Sequence, residues 1–171
     1  IWTSEYLPWD EYNKNISKNT KKHEGIEVLQ GNGKVKGKLI GGCIEVLEMI
    51  KGTKIWPKED MWNDTILFIE TSEDTPSPTY FEYWLRNYGS QGILEKINGI
   101  IFGKPYDNKY YEEYKDVIKK VIMDELGLRD LPIMYNMNFG HTEPMMIIPY
   151  GALAEIDCNN MRFSILESGV L

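Results

Sequence analysis

Apolar runs separated by glycine- and proline-containing turns predict alternating strands and helices along this chain. Thr65–Ile69 and Gly99–Phe102 are almost wholly apolar, which is typical of strands that are covered on both faces. Apolar positions three and four apart predict helices over Thr79–Gln91 and Tyr110–Leu126. Leu131–Tyr135 is a further apolar run, and it predicts a third buried strand.

The first third of the chain has two patterns of its own. Ile26–Gln30 and Val35–Ile40 flank Gly31-Asn32-Gly33, and this arrangement predicts a β-hairpin. Cys43–Ile50 has the apolar spacing of a short buried helix that stops before Gly52.

The last third predicts a C-terminal β meander built from Met145–Ile148, Ala152–Ile156 and Arg162–Leu166. Together with the strands and helices before it, this order predicts an α/β fold with a mixed sheet.

Composition and charge narrow the class of protein. The chain has 171 residues, of which 42% are hydrophobic, which fits one well-packed domain. The net charge of −7 argues against a nucleic-acid partner, because phosphate binding depends on clustered Lys and Arg. The one lysine cluster lies in a polar stretch that we interpret as a solvated loop: Lys14, Lys18, Lys21 and Lys22.

The sequence lacks a long apolar run, a signal peptide and a metal-binding cysteine pattern, and these absences set our expectations for cellular location and cofactors. No apolar run is long enough to span a bilayer, so we expect no membrane partner, and no signal peptide is visible. Cys43 and Cys158 show neither CxxC spacing nor a nearby histidine, so we expect a cytoplasmic protein without a disulfide, zinc or other cofactor. Because the chain begins with Ile1 instead of Met, we expect it to be a fragment or an engineered domain.

Two polar residues stand at the ends of buried strands or in the loops that follow them. Glu70 directly follows the strand predicted at Thr65–Ile69, and His141 lies in a loop after the third strand. Taken singly, Glu70 fits a helix cap or ion pair and His141 a structural loop residue. Taken together, they suggest the carboxylate and general base of a hydrolytic triad, in which the carboxylate orients the imidazole. His23, in the polar stretch, is interpreted as exposed.

A nucleophile is harder to find. No serine of the chain lies in a G-x-S-x-G turn or a similar elbow. Cys43 follows Gly41-Gly42 and is a possible thiol nucleophile, but its apolar surroundings favour a buried structural cysteine. The aromatic set near the N-terminus fits a binding surface and packing onto the core equally well: Trp2, Tyr6, Trp9 and Tyr12.

Several segments in order resemble the C-terminal domain of the LD-carboxypeptidase family, and within it the branch of microcin C self-immunity peptidases. The most specific are Ile69-Glu70 and Gly140-His141. The others are Trp2-Thr3-Ser4-Glu5 with Trp9, Gly37-Lys38-Leu39-Ile40-Gly41-Gly42, Gly99-Ile100-Ile101-Phe102-Gly103, and the stretch from Asn138 to Gly151. One departure is Cys43, where many relatives have Asn after the glycine pair.

The resemblance implies a serine peptidase with a Ser-Glu-His triad, in which Glu70 is the orienting carboxylate and His141 the general base. It implies that the serine lies in a separate N-terminal α/β domain, that residues 1–24 are a linker from that domain, and that residues 25–171 form a swivelling β/β/α domain. On the same basis we expect Trp2 and Trp9 to contact the substrate and the protein to be a homodimer.

The expected reaction is hydrolysis of an amide near the carboxyl end of a small peptide or peptidyl-nucleotide, such as a murein tetrapeptide or processed microcin C. The alternative is a ligand-binding or regulatory domain of the same fold without catalysis.

Overall fold

The structure, a computed structural model that describes residues 1–170, is built around one curled seven-stranded mixed sheet. The strand order is β1-β5-β4-β3-β2-β6-β7, and the pairs between β2, β3, β4 and β5 are parallel whereas the outer pairs are antiparallel. The strands are β1 (Glu27–Gln30), β2 (Lys34–Cys43), β3 (Thr65–Glu70), β4 (Gly99–Gly103), β5 (Ile133–Met137), β6 (Leu153–Asp157) and β7 (Arg162–Ile165).

Three α-helices connect the parallel strands, as the apolar spacing predicts: α1 (Ile44–Ile50), α2 (Pro78–Ser90) and α3 (Tyr111–Ile118). Ser77 caps α2, since its hydroxyl accepts a hydrogen bond from the Tyr80 amide and Pro78 takes the first helical position. The helix predicted as one piece to Leu126 instead continues after Ile118 as a π-helical segment, Lys119–Glu125.

Both faces of the sheet are covered at strand β3. Leu67 and Ile69 pack with the helices, whereas Ile66 and Phe68 pack on the opposite face with Phe139 and the C-terminal strands. Side chains alternate across a strand, so an unbroken apolar run fits only a strand with both faces covered. The prediction of an α/β fold with a mixed sheet is therefore confirmed.

The predicted hairpin between Ile26–Gln30 and Val35–Ile40 is wrong. β1 pairs with β5, while β2 pairs with β3 on one edge and with β6 on the other. Residues 34–38 of β2 pair with β6 and residues 38–43 pair with β3. The turn at Gly31-Asn32-Gly33 therefore redirects the chain without pairing the strands that it joins.

The first strand of the predicted meander, Met145–Ile148, does not form, whereas β6 and β7 pair as a hairpin. The segment Met145–Ile148 lies outside the sheet because β6 is already paired with β2 and β7. Met146 and Ile148 nevertheless face the core while Met145 and Ile147 are exposed, which produces the alternation expected of a strand. The third buried strand, β5, begins two residues later than predicted.

The first 24 residues fold back onto the sheet domain. Trp2 forms an isolated antiparallel bridge with Lys21, and Thr3 forms one with Glu143, close to His141. This segment therefore borders the loop that carries the histidine. Within residues 1–170, no helix is both long enough and apolar enough to cross a bilayer.

Candidate active site

Glu70 is the last residue of β3, at the edge of the sheet where the four parallel strands β2, β3, β4 and β5 end. It is paired in register with Cys43, the last residue of β2, and is only 8% exposed. The carboxyl ends of parallel strands are the usual place for a site in an open α/β sheet, because the connections there leave a crevice.

His141 lies in the loop after β5, and its Nδ1 is 2.7 Å from Oε2 of Glu70. Gly140 makes this approach possible, because it has a φ of 99° and a Cβ built on it would lie 2.6 Å from Glu70 Oε2. On the other side, a Cβ on Gly103 would lie 2.8 Å from Glu70 Cβ. Glu70 is therefore enclosed by two glycines and contacts one imidazole.

The second nitrogen of the imidazole also has a partner. Nε2 of His141 is 3.2 Å from Oε2 of the exposed Glu73. An ionised carboxylate only accepts hydrogen bonds, so Nδ1 donates to Glu70 and, in the imidazolium form, Nε2 donates to Glu73. In the neutral form Nε2 carries the lone pair, which is the state that a general base requires.

Burial and charge shift the acidity of both partners. Burial lowers the pKa of His141, but the hydrogen bond to Glu70 and the charges of Glu70, Glu73 and Glu45 outweigh it, so the pKa lies above the usual value. Burial raises the pKa of Glu70, and its hydrogen bond with His141 opposes this only in part. The imidazole is thus a stronger base than a free histidine.

Glu45 holds the loop that follows Glu70. From the first turn of α1, its Oε1 accepts hydrogen bonds from the Ser72 amide at 2.9 Å and the Ser72 hydroxyl at 2.6 Å. Its Oε2 accepts from Cys43 Sγ at 3.3 Å. Burial raises the pKa of Cys43 to about 12, which disfavours the thiolate form that a cysteine nucleophile needs.

No serine in residues 1–170 is hydrogen-bonded to His141. Ser4 shares a cavity of about 360 Å³ with His141, Glu73 and Tyr106, but its hydroxyl donates to Asp107 Oδ1 at 3.0 Å. The hydroxyl of Ser72 is taken by Glu45. The described residues thus bring an imidazole and a carboxylate together, and no serine hydroxyl among them is hydrogen-bonded to that imidazole.

The two tryptophans predicted to contact a substrate lie apart from this cavity. Trp2 is buried at 2% exposure, and its indole donates to the Lys22 carbonyl at 3.2 Å. Trp9 is fully exposed on the loop of residues 7–18. Trp2 therefore follows the packing interpretation, whereas Trp9 presents a free aromatic face.

Sequence reasoning missed Glu45 and Glu73. Both carry a readable signal: Glu73 lies three residues beyond Glu70, and Glu45 is two residues beyond the end of the adjacent strand β2. Their contacts with Ser72 and His141, however, depend on how two neighbouring loops fold, which a local pattern does not specify.

Comparison with known proteins places the chain in a family. Residues 36–156 match the family model of the LD-carboxypeptidase C-terminal domain. The microcin C7 self-immunity protein MccF of Escherichia coli is 30% identical over 166 residues, which cover 97% of this chain and 46% of that protein. The chain thus spans about half the length of the curated relatives that it matches.

Solved structures agree with the sequence match. An MccF-like protein of Streptococcus pneumoniae in complex with AMP superposes with a TM-score of 0.83 at 30% identity, covering 97% of this chain and 51% of that one. MccF in complex with glutamyl sulfamoyl guanosine gives a TM-score of 0.78 at 28% identity, covering 99% and 49% of the two chains. This chain therefore belongs to the LD-carboxypeptidase family, and it carries the family's C-terminal domain.

Proposed function

We propose that this chain supplies the general base, His141, and its orienting carboxylate, Glu70, to a serine carboxypeptidase. The observation that carries the proposal is the 2.7 Å contact between His141 Nδ1 and Glu70 Oε2 at the carboxyl edge of the parallel strands. The nucleophilic serine and the oxyanion donors would come from an N-terminal α/β domain outside these 171 residues.

The proposed reaction follows the chemistry of acyl transfer. The serine oxygen attacks the scissile carbonyl while its proton passes to Nε2 of His141, and Glu70 stabilises the imidazolium. The same proton then passes to the leaving amine, and an acyl-enzyme remains. Water, activated by His141 in the same way, releases the acid and restores the serine.

The length of the relatives supports a further domain beside this edge. The relatives are about twice as long as this chain, which leaves room for a further domain.

The substrate we propose is a small peptide or peptide conjugate that is cleaved at an amide near its carboxyl end. Murein tetrapeptides and microcin C-like aminoacyl-nucleotides are the two classes to test, and the exposed ring of Trp9 is suited to stack on a base. Trp2, being buried, is left out of this proposal. We further propose that the complete protein is a homodimer. Its proposed location is the cytoplasm, where Cys43 and Cys158 would stay as free thiols.

The proposal is tested by comparing the isolated chain with the complete protein on both substrate classes. The isolated chain is expected to fold and to release no amine, because no serine in residues 1–170 is hydrogen-bonded to His141. Robust turnover by the isolated chain that is lost in Ser4→Ala or Cys43→Ala would contradict the proposal.

One observation favours a second candidate, a ligand-binding or regulatory domain without catalysis. Glu73 contacts Nε2, the atom that has to accept the serine proton. If the complete protein binds these substrates but does not cleave them, and Glu73→Gln does not restore cleavage, the binding function is the better account.

A further inference from the structure

Lys104 is a buried cation that the proposed reaction does not use. It follows β4 by one residue and is only 2% exposed. Its ammonium contacts the Asn136 side-chain oxygen and lies 4.9 Å from the centre of the Trp2 ring, and it has no ion-pair partner within residues 1–170. A buried ammonium without a carboxylate is costly, so its surroundings call for an explanation.

A cavity of about 280 Å³ lies beside Lys104. Two further lysines line it, Lys21 and Lys22, together with polar side chains of Asn108 and Asn136. The Lys21 ammonium lies 5.0 Å from the same Trp2 ring, so two cations share one indole. Three lysines thus line one small cavity of a chain whose net charge is −7.

The local charges leave this cavity positive. Lys21 is paired with Asp107, and Glu24 is the one carboxylate that lines the cavity within the described residues. Lys22 is exposed, and no ion pair is recorded for it in residues 1–170. Burial lowers the pKa of Lys104 to about 8, which the charges of Glu24 and Glu27 oppose without cancelling. An anion in the cavity would compensate the buried ammonium.

We propose that this cavity is a binding site for a small oxyanion, a phosphate or carboxylate group, held by Lys104 and Lys22. Trp2 forms one of its walls, whereas the next residues of the same segment, Thr3 and Ser4, line the cavity of His141. The two cavities are therefore adjacent but distinct. The proposal does not depend on catalysis by His141.

The test is a titration of the ¹⁵N-labelled 171-residue chain at constant ionic strength, followed through the indole resonance of Trp2. Sulfate stands for a phosphoryl group and acetate for a carboxylate, with chloride as the reference. A saturable shift is expected with sulfate or acetate and not with chloride. The anion that binds more tightly shows whether the site prefers a phosphoryl group or a carboxylate.

Variants decide whether the lysines bind it. Lys104→Met should abolish the saturable shift, and Lys22→Gln should weaken binding about tenfold, the loss expected for one charge-assisted hydrogen bond. Glu24→Gln removes the opposing charge and should tighten binding, whereas Lys54→Met, an exposed lysine elsewhere, should change nothing.

Lys22 and Glu24 are both exposed, so their variants remain informative even if Lys104→Met does not fold. The proposal is overturned if neither sulfate nor acetate produces a saturable shift of the Trp2 indole resonance. Binding that is unchanged in both Lys22→Gln and Glu24→Gln overturns it as well.

Discussion

Gly140 shows how a single residue sets the geometry of the site. With a positive φ and no side chain, it lets the loop lie directly against the carboxylate of Glu70, and His141 follows it. An L-residue at such a φ is strained, and here a methyl group would also overlap the Glu70 oxygen.

We therefore expect Gly140→Ala to destabilise the chain more than a matched control. Gly92 also has a positive φ, 69°, but a Cβ there meets no atom within 4 Å. Gly92→Ala should cost about 1–2 kcal/mol from backbone strain alone, and Gly140→Ala should cost more. Urea unfolding measures both, and equal losses would contradict the close packing of Gly140 on Glu70.

The pKa of His141 is the second test at this scale. Glu70→Gln removes the negative partner and leaves burial, which lowers the pKa, so the imidazole should titrate at a lower pH than in the wild type. Glu73→Gln should lower it less, because Glu73 is exposed, and Glu95→Gln on a distant surface should leave it unchanged.

The imidazole resonances of His141 in an NMR pH titration measure these shifts. Because the folded-state pKa lies above the unfolded value, protonated His141 stabilises the fold at low pH, and this contribution is lost as the pH rises through the folded-state pKa. A pKa that stays the same or rises in Glu70→Gln would show that the carboxylate does not act on the imidazole.

At the scale of elements, helix α1 and the loop after β3 are joined through one side chain. The Glu45 carboxylate accepts hydrogen bonds from both the amide and the hydroxyl of Ser72. The loop that contains Ser72 continues to Glu73, which contacts His141. The position of Glu73 therefore depends on the first turn of a helix that is distant in sequence.

Glu45→Ala should free this loop. Loss of a hydrogen bond to a charged acceptor is expected to speed hydrogen exchange at the Ser72 amide by about tenfold. Glu48→Ala, in the same helix but bound to Lys51, is the control and should leave Ser72 unchanged. Equal exchange rates in both variants would mean that Glu45 does not hold the loop.

The sequence predicts the elements better than their pairing. The buried strands and the helices can be read from apolar spacing, because burial of a face is a local property of each segment. The pairing of β1 with β5 could not be read, since Gly31-Asn32-Gly33 is typical of a hairpin and the competing partner of β1 lies about a hundred residues away. The strand predicted at Met145–Ile148 is wrong, because a segment can bury alternate side chains without pairing in a sheet.

At the scale of the whole molecule, Glu70 and His141 could be singled out because Glu70 ends a buried strand and His141 lies in the loop after another. Their contact depends on parallel β3, β4 and β5 ending at one edge, which the order of elements already implies. The contact of Glu73 with His141 and the lysine cavity could not be predicted, because they depend on loops and on the N-terminal segment folding back over the sheet.

The most direct test of the account is the turnover of the complete protein with His141→Ala, compared with His23→Ala as the control histidine. Loss of the base should lower kcat on the order of 10⁴-fold or more in protein that still folds but has lost the contact with buried Glu70, whereas His23→Ala should keep its activity. Turnover that survives in folded His141→Ala would contradict the assignment of His141 as the general base.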